Sequence, residues 1–347
     1  MKLYNRINRD ELKQRLQEES FKRVTLSFYK YAKIGNPRLF RDHFYLLLEP
    51  VGVLGRIYVS SEGINGQISV PEKKMAAFKD AMDSIVFLRG IRHNIAIEDD
   101  GKSFFKLNIK VRKKIVADGL DDSTFDVTNR GKHLTAKEFN ELTDQENTIV
   151  VDMRNHYESE VGHFRGAITP NVETFREALD VVEDMLQEHK DKHIVMYCTG
   201  GIRCEKASAY YKHKGFEKVY QLEGGIIEYA RQIEKKGLEN KYRGKNFVFD
   251  ERLGEKISDE VISECHQCGK PCDTHVNCAN DACHLLFIQC EECAAKYNHT
   301  CSKKCADFIK LPEEQRVKLR KTIEFNGIKY GKGRFKAGSQ HEGLDVS

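Results

Sequence analysis

The chain has 347 residues, 40% of them hydrophobic and 32% charged, with a formal net charge of +4. That length accommodates two or three domains, each with its own core. The composition is that of a soluble globular protein: no run approaches a membrane span, and residues 1–20 are polar and charged, without an apolar signal segment. So small a net charge excludes a uniformly basic nucleic-acid binder, although the basic residues are unevenly placed.

After an N-terminal extension at 1–20, residues 24–34 are rich in β-formers and predict a strand. Residues 37–50 predict a helix, with Pro37 near its start and Leu46, Leu47 and Leu48 on the buried side. Residues 55–60 read as a strand, 61–66 as a tight structural turn, and 67–70 as the strand it leads into. In 71–85, Met75, Phe78 and Met82 are spaced for one apolar helix face. Strands at 91–97 and 104–116 complete the order β-α-β-β-α-β, which predicts a ferredoxin-like or acylphosphatase-like domain over 21–118. Such folds host many functions. The last strand carries Lys106, Lys110, Arg112, Lys113 and Lys114, a basic cluster suited to RNA phosphates.

Residues 119–144 read as a linker. From 145 to 239, strands alternate with helices: strands at 148–153, 193–197 and 219–222, helices near 172–189, 204–215 and 226–236. That alternation predicts a parallel sheet with its active groups at the carboxyl ends of the strands. At one such end stand Cys198, Thr199, Gly200, Gly201, Ile202 and Arg203. The two glycines let the backbone curl so that successive N–H groups point inward, and the helix N-terminus adds partial positive charge. A thiolate placed there is stabilised, so Cys198 is the candidate nucleophile and Arg203 a charge at the rim. Asp152 and Arg154, at the end of the first strand, are candidate supporting groups. Cys204 reads as packing or as a resolving thiol. Four residues separate Cys198 from Arg203, one fewer than a Cys-dependent phosphatase loop needs, which argues against phosphatase chemistry.

Of eleven cysteines, all but Cys198 and Cys204 fall within 265–305. With no export signal, that crowding points to a reducing cytoplasm and to metal ligation rather than disulfides. Short paired spacings let two thiolates bind one ion, and the preferred pairing is Cys265, Cys268, Cys290 and Cys293 in one site, with Cys278, Cys283, Cys301 and Cys305 in the other. Cys272 is left over, and His275, His284 or His299 are open as substitutes. Two closed, structural zinc sites are expected over 240–309; the spacings match neither common ferredoxin pattern. A second basic stretch, 310–347, carries Lys310, Arg316, Lys318, Arg320, Lys321, Lys329, Lys332, Arg334 and Lys336. Two basic regions around a catalytic domain favour a polyanionic substrate.

The loop Cys-Thr-Gly-Gly-Ile-Arg in its α/β setting resembles the rhodanese homology domain. That loop, the acylphosphatase-like region before it, the segment 246–252 and Cys-His-Gln-Cys-Gly in the tail together resemble the bacterial tRNA uridine-34 hydroxylases of the rhodanese-domain type. The resemblance implies oxygen-dependent formation of 5-hydroxyuridine at the wobble position, with Cys198 as the reactive thiol. It also implies the tRNA anticodon loop as partner, molecular oxygen as co-substrate and an electron donor that the sequence does not identify. No flavin or nicotinamide fingerprint stands out. A sulfurtransferase passing persulfide sulfur to tRNA or a carrier protein is the competing reading, and a non-catalytic RNA-binding module a third. The expected architecture is a multidomain chain, α+β at the N-terminus and α/β in the centre, ending in a Cys-rich zinc-binding region.

Overall fold

The computed structural model describes residues 7–99, 101, 103–320, 322–327, 333–341 and 343–344. Of the second basic stretch, Lys321, Lys329 and Lys332 lie outside these residues. One compact unit gathers the chain up to Asn155 with Gly166–Lys241 and Val248–Glu255; the other gathers His156–Arg165, Tyr242–Phe247 and the chain from Lys256. Among the described residues no helix is long and apolar enough to cross a membrane.

The first unit opens with α1 (Arg9–Glu18), capped by the Asn8 side chain. There follow β1 (Arg23–Tyr31), α2 (Pro37–Leu48), β2 (Leu54–Ser60), β3 (Gly63–Pro71), α3 (Met75–Asp83), β4 (Asn94–Ile95) and β5 (Leu107–Val111). The strands lie in the order β4-β1-β3-β2-β5. The first four give the expected β-α-β-β-α-β arrangement, and β5 extends it, parallel to β2. Alternation splits the sheet into two faces. Leu26, Phe28, Ile57, Val59, Ile64 and Ile68 form the core with Phe44 and Leu48 of α2 and Phe78 and Met82 of α3. Thr25, Ser27, Tyr29, Arg56, Tyr58, Asn65 and Gln67 alternate with them, so the other face is polar. Two local expectations need correction. Leu46 is 56% exposed, because successive helical residues turn by about 100° and three in a row cannot share one face. The turn before β3 is only Ser61 and Glu62, since pairing with β1 already begins at Gly63.

The same unit contains a parallel sheet in the order β6-β10-β9-β7. Its elements are β6 (Lys132–Leu134), α4 (Ala136–Thr143), β7 (Thr148–Asp152), α6 (Phe175–Leu186), β9 (His193–Tyr197), α7 (Ile202–His213), β10 (Val219–Leu222) and α8 (Gly225–Lys236). The intervening α5 (His156–Ser159) and β8 (Gly162–Phe164) belong to the second unit. The segment expected as a linker therefore supplies an edge strand and a helix. The Thr135–Glu138 capping box that starts α4 is its local signal.

In the second unit β8 pairs antiparallel with β11 (Tyr242–Asn246), and the cysteines surround a hairpin of His275–Asn277 with Leu286–Ile288. Helices α9 (Glu291–Lys296), α10 (Lys303–Ile309) and α11 (Glu313–Leu319) follow. The residues expected as a basic tail are not merely a tail. Phe325 and Phe335 pack on the apolar cluster of Leu285 and Phe287, and Phe335 stacks on Phe287 with centroids 6.0 Å apart.

Helix α7 has no clean apolar stripe, and the reason is that both its sides are covered. Cys204, Ala207 and Tyr211 enter the core of the parallel sheet. On the opposite side, α7 meets the polar face of the first sheet: Tyr29 Oη donates to Glu205 at 3.1 Å, and Tyr31 Oη to the Ile202 carbonyl at 3.4 Å. Lys206, only 2% exposed, reaches Glu62 at 2.8 Å and Asp118 at 3.7 Å, and also pairs with Asp122. Lys114 joins the cluster at 2.6 Å from Asp118 and 3.0 Å from Asp122. Removing one partner of such a buried cluster strands the opposite charges. Lys206→Met is expected to cost about 3–5 kcal/mol in urea unfolding at neutral pH; a loss under about 1 kcal/mol, typical of a surface pair, would mean that the cluster does not join the two sheets.

Candidate active site and metal centres

Strand β9 ends at Tyr197 and α7 begins at Ile202, so Cys198 to Gly201 form the junction. The Gly201 N–H donates to Cys198 Sγ at 3.1 Å. Gly201 has φ +98°, a conformation that requires glycine, and a Cβ there would stand 2.8 Å from Tyr29 Oη. From below, the start of α8 pins the loop: Ile226 N–H donates to the Cys198 carbonyl at 3.1 Å and Ile227 N–H to that of Thr199 at 3.3 Å. Gly225 allows that approach, since its Cβ would lie 2.4 Å from the Cys198 oxygen.

Cys198 is 1% exposed. Burial alone pushes a thiol up, but a hydrogen bond from Cys204, the Arg203 charge and the backbone N–H groups of Arg203 and Cys204 outweigh it and lower Cys198 to about 6. Cys204 moves the other way, pushed well above the usual thiol value by its burial and by the neighbouring Cys198. The pair is a thiolate beside a thiol that donates to it. At neutral pH such a thiol is largely ionised.

A cavity of about 430 Å³ has Cys198, Thr199 and Gly200 on one side and the polar face of the first sheet on the other. Ser27, Tyr29, Arg56, Tyr58, Asn65, Gln67 and Asn94 line that second wall. The segment Val248–Glu255 contributes as well, held by Arg252, which donates to Asp250 and Glu255 at 2.5 Å each. A volume in this range suits a small-molecule-sized group, such as one nucleoside.

The candidate residues are distributed as follows. Thr199, Gly200, Ile202 and Arg203 line the cavity with Cys198. Asp152 and Arg154 do not: both are fully buried, with the Arg154 guanidinium on the Asp152 carboxylate at 2.6 Å and over the Tyr197 ring. Lys106, Lys110, Arg112 and Lys113 are exposed along β5 and just beyond it. Tyr58 pairs with Lys110 and Arg56 with Asn108, so Lys110 and, two residues on, Arg112 share the cavity-lining face of β2. Arg112 lies over the Tyr58 ring at 5.5 Å. Lys114 departs from this set, because Asp118 and Asp122 occupy its ammonium. The sequence reading missed the wall itself. Its signal was the alternation of polar side chains with the core residues of β1, β2 and β3, which by itself places polar side chains in solvent.

The cysteines of the second unit form two groups, Cys265, Cys268, Cys290 and Cys293, and Cys278, Cys283, Cys301 and Cys305, each with all sulfurs within 4.8 Å of one another. Four thiolates about 2.3 Å from a tetrahedral ion are separated by about 3.8 Å. The Sγ–Sγ distances Cys268–Cys290 and Cys283–Cys301 are 3.7 Å, and Cys301–Cys305 is 3.8 Å. N–H groups also aim at the sulfurs, Cys290 at Cys265 and Cys301 at Cys278, each at 3.4 Å, as thiolate ligands require. The residues fit a four-thiolate metal ion at both places. Cys272, His275, His284 and His299 belong to neither group.

The cradle makes a quantitative prediction. The rate of Cys198 modification by a small alkylating agent should rise with pH through a midpoint near 6, rather than near the ordinary thiol value of about 8.5. Cys204→Ala should move that midpoint upward, because the variant keeps the burial and loses the donor. A midpoint unchanged in the variant would assign the shift to Arg203 and the backbone alone.

Family models match along the chain: a UPF0176 acylphosphatase like domain at residues 23–115, a Rhodanese-like domain at 135–232, and a model described as Rhodanase C-terminal at 243–306. The chain is 57% identical over 328 residues to the tRNA uridine(34) hydroxylase of Pectobacterium carotovorum subsp. carotovorum (strain PC1), covering 94% of this chain and 92% of that protein. With the enzyme of the same name from Enterobacter sp. (strain 638) it shares 54% over 328 residues, 94% of each chain. With that of Salmonella heidelberg (strain SL476) it shares 53% over 339 residues, 97% of each. An acylphosphatase-like sheet, a rhodanese-like domain with its cysteine loop intact and near-full-length identity to these proteins lead to one conclusion: the chain belongs to the tRNA uridine(34) hydroxylase family.

Proposed function

We propose that this protein hydroxylates uridine 34 of tRNA at C5, giving 5-hydroxyuridine, with Cys198 as the reactive group. The observation that carries the reading is a thiolate held near pKa 6 at the wall of a nucleoside-sized cavity, in a chain of this family. The C5 carbon of neutral uracil reacts poorly with oxidants. Addition of the Cys198 thiolate to C6 makes C5 enolate-like, and Arg203 stabilises the charge that develops on the ring oxygen. Oxygenation at C5, loss of the C5 proton and departure of the thiolate complete the exchange. With O₂ as oxidant, one oxygen atom enters the base and the other leaves as water, which consumes two electrons from a donor. Lys110, Arg112 and Lys113, beside the cavity-lining face of β2, suit the phosphates of an anticodon loop.

The competing reading, sulfurtransfer, draws on the same cradle, which would also hold a persulfide. Nucleoside analysis of tRNA separates the two. In a strain lacking the gene, the 5-hydroxyuridine family should disappear, return with the wild-type protein and stay absent with Cys198→Ser. Loss of a thionucleoside instead would establish the transferase.

The two cysteine groups are proposed to hold zinc in a structural role, since four thiolates leave no position open for substrate. The ion would bring the short hairpin and the helices around it together, alongside the small apolar cluster of Leu285 and Phe287. Elemental analysis should give two zinc ions per chain, and Cys283→Ser and Cys293→Ser should each lower the content to about one. Iron with visible absorbance would overturn this assignment.

A further inference from the structure

The face of the first sheet that lines the cavity has an engaged rim and an unengaged centre. At the rim, Tyr29 donates to Glu205 at 3.1 Å, Asn94 Nδ2 to the Gly200 carbonyl at 3.3 Å, and Arg56 to the Phe249 carbonyl. At the centre stand Ser27, Asn65, Gln67 and Tyr58. Ser27 pairs with Gln67, Asn65 pairs with Tyr58, and Asn65 and Gln67 are two residues apart on β3, so the four side chains adjoin on one face. All four line the cavity. Among the described residues no group hydrogen-bonds to Ser27 Oγ, Tyr58 Oη, Asn65 Oδ1 or either end of the Gln67 amide, and each of these atoms keeps accessible surface. The block faces the reactive loop: a Cβ at Gly200 would stand 3.7 Å from Ser27 Oγ. Polar groups left unpaired yet accessible at the centre of such a wall are arranged for a ligand.

Asn65 differs from the other three. A hydroxyl rotates and the free Gln67 amide can turn over, so each of these groups can donate or accept. Asn65 Nδ2 donates to the Ile115 carbonyl at 3.2 Å. A carbonyl only accepts, so the amide is held one way round and offers Oδ1, a pure acceptor, to a ligand. We propose that Asn65 determines base specificity by accepting a hydrogen bond from N3–H of the target uracil. The inference rests on the uridine reading above. N3 lies across the ring from C6, the carbon that Cys198 attacks in that reading, so the group that reads it belongs on the wall facing the loop. O2 and O4 of uracil are acceptors, which the Gln67 amide and the two hydroxyls can satisfy. Cytosine, whose N3 is itself an acceptor, meets Oδ1 with a lone pair. A site built to hydrogen-bond one group rejects analogues lacking it, because its own polar atom is then stranded.

The test is a binding cycle with the full-length protein and fluorescent anticodon stem-loop RNAs that differ only at position 34: uridine, cytidine and 3-methyluridine. The wild type should bind the cytidine and 3-methyluridine RNAs roughly 10- to 100-fold more weakly than the uridine RNA. Asn65→Ala should weaken uridine binding by a similar factor and leave the three RNAs within about threefold of one another. Gln67→Ala removes an amide that suits either base, so it should weaken uridine and cytidine binding alike and leave their ratio standing. Asn65→Asp keeps an acceptor and should keep the preference for uridine, a result that is informative even where the alanine variant does not fold. Equal wild-type binding of the uridine and cytidine RNAs overturns the proposal, as does an Asn65→Ala protein that folds and still discriminates. Loss of the preference in Asn65→Asp, or in Gln67→Ala, also overturns it. Failure of the function itself reads out separately, as wild-type protein that restores no 5-hydroxyuridine in the deletion strain.

Discussion

A buried thiol at the floor of a cavity is, by default, a poor nucleophile, because burial penalises the charged form. Everything else at this site answers that constraint. Gly201 in the left-handed region turns its N–H onto Cys198 Sγ, and α7 starts at once so that the next amides and Arg203 follow. Cys204, one residue further, is buried too deeply to ionise and so remains a donor. Gly225 lets the N-terminus of α8 hold the Cys198 and Thr199 carbonyls from the other side. The result is a thiolate stabilised by fixed dipoles rather than by water.

That cavity depends on a second choice. Acylphosphatase-like sheets bury one face under two helices. Here the opposite face is also covered, and its polar side chains are retained to meet α7. Tyr29 and Tyr31 reach Glu205 and the Ile202 carbonyl, Glu62 reaches Lys206, and Asn94 reaches Gly200. The N-terminal sheet is thus a wall of the thiol's chamber, and β5 carries exposed cations along that wall's edge. The wall brings amide and hydroxyl groups to the same cavity as Cys198.

Much of this was legible in the sequence where the determinants are local. The Cys198 loop announces itself because strand, glycines and helix are consecutive; the paired cysteine spacings point to metal sites, but spacing alone leaves the pairing of the groups open. The order of the first sheet followed from alternation and turn residues. What stayed hidden was set by contacts between distant segments. Asn65 reads as part of a turn and Gln67 as the start of a strand, and only a partner far along the chain makes them a site. Lys114 looks like part of a basic strip until Asp118 and Asp122 are placed beside it. Arg154 looks like a supporting group at the site until its fit against Asp152 and Tyr197 buries it. Polar patterning also made β6 and α4 look like a linker, because an edge strand of three residues carries almost no periodic signal.

On the proposed function the target uridine enters the chamber between Cys198 and the polar sheet. Photo-crosslinking of a tRNA carrying 4-thiouridine at position 34, followed by peptide mapping, reports whether it does. Adducts should fall on the peptides that contain the Cys198 loop and on those of β1, β3 or β4, and an excess of unmodified tRNA should suppress them. Adducts confined to the basic stretch after Lys310, with none on either wall of the chamber, would contradict it.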